Sequence, residues 1–314
     1  MSRPTLITGA AGFAGGHLLD ALRTSADTHP LVGWHRPGTS LAPLTGVTWQ
    51  GVDLLDRAAV RAAVAHLKPS RVYHCAGAAH VGDAWNATAR TLSTNVLGTH
   101  HLVEALRTYA PDARVVITSS ALVYASSDAP MNEDAPRVPK TPYGLSKLAQ
   151  ETTAEGSDTG PAICIARAFN HIGPRQSSSF SSASFARQIA AIEAQRQPAE
   201  IVVGNLDPRR DITDVRDTVR AYVRIMERGE RRRAYNVCSG RALTIGDLLD
   251  ALLERARVPI VVRVDPARYR PSDQPVVVGD PSRIRDELGW TPTIPFDRTL
   301  DDILEYWRAQ TSAS

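Results

Sequence analysis

A chain of 314 residues with 43% hydrophobic and 22% charged residues has the balance of a globular protein with a large core, which excludes extensive disorder. The formal charge of +3 is small for this length, and the basic triplet Arg231-Arg232-Arg233 lies in a polar stretch that reads as a solvated face, so no nucleic-acid partner is expected. No apolar stretch reaches membrane-spanning length and the first residues lead straight into a strand, so the expectation is no membrane partner and cytoplasmic residence.

Strand-length apolar runs recur at Thr5 to Thr8, Leu31 to Trp34, Val47 to Gly51, Arg71 to Cys75, Arg114 to Thr118 and Ala162 to Ala166. Helical patterns at Gly15 to Arg23, Arg57 to His66 and Thr94 to Tyr109 alternate with them. This β-α-β rhythm predicts an α/β fold with a doubly wound parallel sheet over residues 1–165.

Directly after the first run stands Gly9-Ala10-Ala11-Gly12-Phe13-Ala14-Gly15. Glycine at 9, 12 and 15 permits a tight turn and lets the amides around Phe13 and Ala14 approach a pyrophosphate at the positive end of a helix. Lying between strand and helix, the pattern predicts a Rossmann-type dinucleotide site. The second run ends in Trp34-His35-Arg36, where a chain that binds NAD commonly carries an acidic ribose ligand. Arg36 instead suits a 2′-phosphate, so NADP(H) is favoured over NAD(H). Asp53-Leu54, after the third run, is placed to contact an adenine edge, and Ala76-Gly77-Ala78 ends the fourth in small residues over which a cofactor can lie. Cys75, Cys164 and Cys238 sit singly in apolar runs without disulfide or zinc spacing, so no metal is expected. His80 reads equally as a sugar-pocket residue or a packing histidine, and so does His171.

The fifth run leads into Thr118-Ser119-Ser120, hydroxyls at the strand end where a parallel sheet presents its ligands. Next comes Thr141-Pro142-Tyr143-Gly144-Leu145-Ser146-Lys147, with a capping threonine, proline at the first helical position, and a phenol and ammonium one turn apart. The ammonium is expected to favour phenolate and lower the pKa of Tyr143. Ser120, Tyr143 and Lys147 are the candidate catalytic residues.

Beyond Pro174 the rhythm changes. A Ser-rich loop, Ser177 to Ser184, precedes helical patterns at Phe185 to Gln195, Val215 to Glu227, Ile245 to Ala256 and Leu300 to Gln310, with strands at Ile201 to Val203, Ala234 to Val237 and Ile260 to Val264. Residues 166–314 are therefore expected to form a smaller α+β substrate lobe, with about 211–240 returning to the main sheet.

The glycine pattern, the Ser120 strand end, the Tyr143/Lys147 helix and Thr94-Asn95-Val96-Leu97-Gly98-Thr99 together resemble the extended short-chain dehydrogenase/reductase superfamily, over nearly the whole chain. The resemblance implies that Tyr143 is the general acid/base, that Lys147 holds the nicotinamide ribose, that Ser120 orients the substrate carbonyl and that Asn95 belongs to the cofactor site. Arg167-Ala168-Phe169-Asn170-His171-Ile172-Gly173-Pro174 resembles the segment by which nucleotide-sugar members contact sugar and diphosphate, with Asn170 as the implied diphosphate contact. The stretches around Asn205, Arg210 and Arg270 resemble the GDP-mannose branch, whose 4,6-dehydratases and 4-keto-6-deoxymannose reductases share this architecture; both arginines are candidate phosphate ligands. Dehydratases of the superfamily place a Glu, often after an Asp, between a strand-end Thr and the following Tyr, where this chain reads Ser120-Ala121-Leu122-Val123-Tyr124. The implied activity is NAD(P)H-dependent reduction at C4 of a GDP-4-keto-6-deoxyhexose to a GDP-6-deoxyhexose such as GDP-D-rhamnose. A GDP-mannose dehydratase, a 4-epimerase and a non-catalytic cofactor-sensing scaffold are the alternatives, and the superfamily implies a homodimer.

Overall fold

The computed structural model describes residues 2–25, 29–156, 159–269 and 274–313. Its first half runs β1 (Thr5–Thr8), α1 (Phe13–Arg23), β2 (Leu31–His35), β3 (Val47–Gly51), α2 (Arg57–Leu67), β4 (Arg71–His74), α3 (Val81–Asn86), α4 (Thr88–Leu92), α5 (Gly98–Tyr109), β5 (Arg114–Ser120), α6 (Pro142–Glu155) and β6 (Ala162–Ala168). The second half continues with β7 (Asn170–Ile172), α7 (Ser181–Glu193), β8 (Glu200–Val203), β9 (Arg209–Asp214), α8 (Val215–Arg228), β10 (Ala234–Val237), β11 (Ala242–Thr244), α9 (Ile245–Leu253), β12 (Val261–Val264), β13 (Val276–Val277), α10 (Ser282–Leu288) and α11 (Phe296–Ala313).

Seven strands form one parallel sheet in the order β10-β6-β5-β4-β1-β2-β3, the expected doubly wound arrangement. Strand periodicity explains why it is covered on both faces. Ile7, Tyr73, Val116, Cys164 and Ala166 point into one core with Leu18, Val219, Tyr222 and Ile225 of α1 and α8. Their chain neighbours Leu6, Val72, Val115, Ile117, Ile163 and Ile165 point into the other, with Val60, Val64, Leu102 and Leu106 of α2 and α5.

The segment that rejoins this sheet is α8 with β10, whereas β9 stays in a smaller sheet ordered β11-β9-β13, to which β7 adds. A separate apolar core joins Ile172, Phe185, Ile189, Ile201, Leu249 and Leu304 beneath it. Two local expectations change. The helix read as continuous from Thr94 to Tyr109 is broken by a π-helical turn at Ser93–Leu97, and Asn95 in that turn points inward with no exposed surface. The Ser-rich loop is shorter than its composition suggests, because α7 begins at Ser181 and buries Ser182 and Ala183. Among the described residues no helix is long and apolar enough to cross a membrane.

Candidate active site

The parallel sheet brings the C-terminal ends of β1, β4 and β5 to one rim, where α1 and α6 begin. At the α1 end, Gly9 has φ of +67°, and a Cβ there would lie 2.7 Å from the Ala76 backbone, while one on Gly15 would lie 2.2 Å from the Gly9 carbonyl oxygen. Only bare backbone permits this turn. Gly12 caps α1 with no side-chain acceptor and no acidic residue in the first turn, so the amides about Phe13 and Ala14 keep their partial positive charge for an external anion. A cleft lined by Ala11, Gly12, Phe13, Trp49 and Arg175 runs past them. This cradle fits the pyrophosphate of a dinucleotide.

The remaining cofactor candidates lie along the same rim. Arg36 is exposed just beyond β2. Asp53 is also exposed and accepts the Leu55 amide at 2.9 Å, while the Leu54 carbonyl bonds to His101 Nδ1 at 2.9 Å. Beyond β4, the Ala76 amide donates to Thr8 Oγ1 at 3.3 Å and the Ala78 amide to Asn95 Oδ1 at 2.8 Å. Asn95 Nδ2 then donates to Ser146 Oγ at 2.8 Å and the Ala78 carbonyl at 3.2 Å, so this side chain ties the small-residue turn to α6.

Helix α6 starts as its sequence predicts: Thr141 Oγ1 accepts the Gly144 amide at 3.0 Å and Pro142 occupies the first turn. A Cβ on Gly144 would sit 2.2 Å from the Leu122 carbonyl oxygen, and that close approach sets the first turn of α6 against the 3₁₀ turn Ala121–Val123. The Tyr143 phenol is thereby within hydrogen-bonding reach of Ser120. Burial pushes it up to about 12, against the lowering effect of the Ser120 hydroxyl. The expected net lowering of the phenol is therefore not found: burial dominates, and the opposing contribution comes from Ser120. The ammonium points elsewhere, donating to the Thr118 carbonyl and to Gln150 Oε1, each at 2.9 Å. Burial brings Lys147 down to about 8, with Cys75 and Glu151 opposing.

Two carboxylates buried nearby are committed to other partners. Glu151 is held by Arg167 at 2.9 Å and by Ser119 and Arg137. Glu133 accepts the Asn236 amide at 2.7 Å and pairs with Arg283 at 3.5 Å. No carboxylate stands on the Ala121–Val123 turn.

The candidate substrate residues occupy separate segments. His80 caps α3, accepting the Asp83 amide on Nδ1 at 3.1 Å, and its Nε2 lies 3.2 Å from the Ser179 carbonyl. Asn170 is exposed at the start of β7. Asn205 accepts the Asp207 amide at 3.0 Å in the turn before β9, and Arg210 on β9 donates to the Arg209 and Pro275 carbonyls. Arg270 lies outside the described residues. His171 stacks on Phe13 and its Nδ1 is 3.1 Å from the Phe169 carbonyl. Reading the sequence left out Gln150, Thr99, His74 and Thr8, which extend inward from Lys147. Their signal was a polar residue, Gln150, on the buried stripe of Tyr143, Lys147 and Glu151.

A seven-stranded parallel sheet with an uncapped glycine turn after β1 and a serine, tyrosine and lysine at its rim defines a nicotinamide-dinucleotide enzyme of the short-chain dehydrogenase/reductase type. A family model described as GDP-mannose 4,6 dehydratase matches residues 6–303, and the chain belongs to that family. It is 36% identical to GDP-6-deoxy-D-mannose reductase of Pseudomonas aeruginosa over 99% of each chain. It is 27% identical to UDP-glucose 4-epimerase of Bacillus subtilis, covering 98% of this chain and 96% of that protein. In structure it resembles RMD of Pseudomonas aeruginosa, solved in complex with NADPH, with a TM-score of 0.84 and 33% identity over 98% of this chain and all of that one (100%).

Proposed function

We propose that this protein reduces the C4 keto group of a GDP-4-keto-6-deoxyhexose with NADPH, giving a GDP-6-deoxyhexose such as GDP-D-rhamnose. The observation that carries this reading is the pairing of a buried, protonated phenol beside Ser120 with a turn, Ala121–Val123, that bears no carboxylate. Reducing a carbonyl needs one proton donor; eliminating water across C5 and C6 needs a further acid/base. The relationship to GDP-6-deoxy-D-mannose reductase supports the same choice.

The dinucleotide is held by Gly9, Gly12 and Gly15 and the amides of Phe13 and Ala14, with Ala76, Gly77 and Ala78 under the nicotinamide half and Asp53 and Leu54 near the adenine. Arg36 meets the 2′-phosphate, which gives the preference for NADP(H). A nicotinamide held there would supply the hydride for C4. Ser120 orients the carbonyl oxygen, Tyr143 delivers its phenolic proton to that oxygen, and Lys147 holds the ribose while its charge stabilises the developing alkoxide. Asn95 acts through the Ala78 turn and Ser146. Asn170, Asn205, Arg210 and His80 line the nucleotide-sugar side, between the unit of residues 1–165 and the lobe of residues 166–314, and Arg270 remains a candidate phosphate ligand from its sequence alone. The protein works as a homodimer through α5, the π-helical turn that leads into it, and α6, where Leu97 of the turn and Leu145 of α6 stand 49% and 50% exposed.

The test is to incubate the protein with NADPH and GDP-4-keto-6-deoxymannose, follow the reduced nicotinamide by absorbance and identify the product. Stoichiometric oxidation of NADPH with formation of a GDP-6-deoxyhexose is expected. Turnover of GDP-mannose without net oxidation of NADPH overturns the reductase and favours a dehydratase. Interconversion of C4 epimers by an enzyme that retains its NAD favours an epimerase.

A further inference from the structure

We propose that Gln150 is a positioning residue for Lys147: its amide oxygen fixes the ammonium at the rim, and a buried chain through Thr99, His74 and Thr8 fixes the amide. The proposal deepens the reductase reading by adding a residue that acts on the lysine rather than on substrate.

The geometry allows one consistent set of donors. Lys147 Nζ donates to Gln150 Oε1 at 2.9 Å, which leaves Gln150 Nε2 to donate to Thr99 Oγ1 at 2.8 Å. Thr99 gives its own proton to the Asn95 carbonyl at 2.7 Å, in the π-helical turn. Its oxygen therefore also accepts from His74 Nε2 at 2.8 Å, which assigns the imidazole tautomer. His74 Nδ1 in turn accepts from Thr8 Oγ1 at 2.7 Å, and Thr8 accepts the Ala76 amide at 3.3 Å. Gln150, Thr99, His74 and Thr8 have no exposed surface, so every link is dry. The chain runs from α6 through α5 and β4 to β1 and ends on the amide beside the glycine turn, so the lysine and the cofactor cradle are registered by one network.

The charge around Lys147 makes this acceptor matter. From β4 it is faced by the Cys75 thiol, raised by burial and uncharged at neutral pH, and by His74, which burial and Lys147 bring down to about 3. On its own helix, Tyr143 is protonated and Glu151 is already held by Arg167. Asn95 and Thr99, from the α5 side, are neutral. Tyr222 of α8, which adjoins Cys75 and Tyr143, is a protonated phenol. The oxygens bonded to the ammonium are the Thr118 carbonyl and Gln150 Oε1. With no carboxylate of the described residues in direct contact, losing one of these dipoles destabilises the charged form.

The chain contains only three lysines, Lys68, Lys140 and Lys147, so lysine labelled with ¹³C at Cε yields three signals. Each can be titrated in the protein without cofactor, and a Lys147→Arg sample assigns the site. In Gln150→Met the Lys147 midpoint is expected to fall by about one pH unit. In Gln150→Glu it is expected to rise above wild type, because a carboxylate favours the ammonium. Thr99→Val, which frees the Gln150 amide, is expected to move it down by less, and keeps the test open if Gln150→Met does not fold. The alkaline limb of NADPH oxidation should follow the same order. A midpoint unchanged in Gln150→Met and in Thr99→Val overturns the proposal, and so does a downward shift in Gln150→Glu, the mark of a merely structural residue. The titration reads Lys147 without turnover, so failure of the reductase reading leaves its outcome intact and separately visible.

Discussion

Phe13 and His171 stack with ring planes 7° apart and centroids 5.9 Å apart. One belongs to the first turn of α1, at the dinucleotide cradle, and the other to β7, at the entrance to the smaller sheet. Phe13 also meets His17 edge-on at 5.4 Å, and His17 Nε2 reaches the Pro174 carbonyl at 2.9 Å. The cofactor turn and the second half of the chain are thus set against each other by aromatic contact. Burial keeps both histidines below their ordinary pKa, so the stack is a neutral one. Phe13→Ala is expected to weaken NADPH binding several-fold, from loss of a pair contributing about 1 kcal/mol. Fluorescence titration of NADPH measures it; wild-type affinity would count against the coupling.

Tyr143→Phe keeps the packing of α6 and removes the proposed proton donor. The turnover number is expected to fall by roughly 10²–10⁴-fold, the range for a positioned acid, with NADPH affinity near wild type. Single-turnover oxidation of NADPH against a separate binding titration distinguishes the two quantities. Residual activity at the wild-type level would remove Tyr143 from the role.

How far the sequence exposes this site follows from where each element gets its stability. β1 and the glycine turn are local, since apolar alternation and a backbone-only turn need no distant partner to be recognised. The start of α6 is also local, written in Thr141 and Pro142. The break in the helix before α5 is not: Asn95 turns inward because the Ala78 turn and Ser146, distant in sequence, supply its partners. β9 is hidden for a similar reason. Its sequence, Arg209 to Asp214, is charge-rich, yet Asp211 is fully buried because Ser239 donates through its amide and hydroxyl at 2.7 and 2.6 Å and the Gly240 amide at 2.9 Å. Gln150 is visible as a residue but its role depends on three other segments.

Arg36 is where cofactor choice should be alterable. Arg36→Ser is expected to lower kcat/KM with NADPH by about tenfold or more, the scale of one charge-assisted contact, and to leave that with NADH nearly unchanged. Parallel kinetics with both cofactors give the ratio. An equal loss with each would mean that Arg36 supports the fold rather than the 2′-phosphate.

Glu151 and Arg167 form an ion pair with almost no exposed surface at 2.9 Å, one turn beyond Lys147. Ser119, Arg137, Tyr124 and the Glu133 carbonyl add further hydrogen bonds to it, so the pair joins α6 to the strand carrying Ser120. Glu151→Ala leaves a buried guanidinium without its carboxylate, expected to cost about 3–5 kcal/mol. A urea midpoint measures the loss. The double variant Glu151→Ala/Arg167→Met is expected to recover part of it, because the unpaired charge is gone; a double variant no more stable than Glu151→Ala would contradict that account.

The pH dependence of activity and of stability should run in opposite directions just above neutrality. In the proposed mechanism the competent enzyme has Tyr143 protonated and Lys147 charged. Tyr143, pushed up to about 12, keeps its proton throughout the physiological range, and His74, near 3, stays neutral. Lys147, brought down to about 8, loses its charge as pH rises through that value. The rate is therefore expected to be level below about 8 and to fall above it, up to about tenfold per pH unit. For stability the sign reverses. Between about 8 and the ordinary 10.5 the unfolded lysine still binds a proton that the folded one has released. Stability from this group consequently increases with pH across that window. Measured as the difference in urea midpoint between wild type and Lys147→Met, which cancels the other titrations, the balance should move toward wild type from pH 8 to 10. A difference that stays constant, or an alkaline limb more than about one unit higher, would show that Lys147 is not the group whose charge limits turnover.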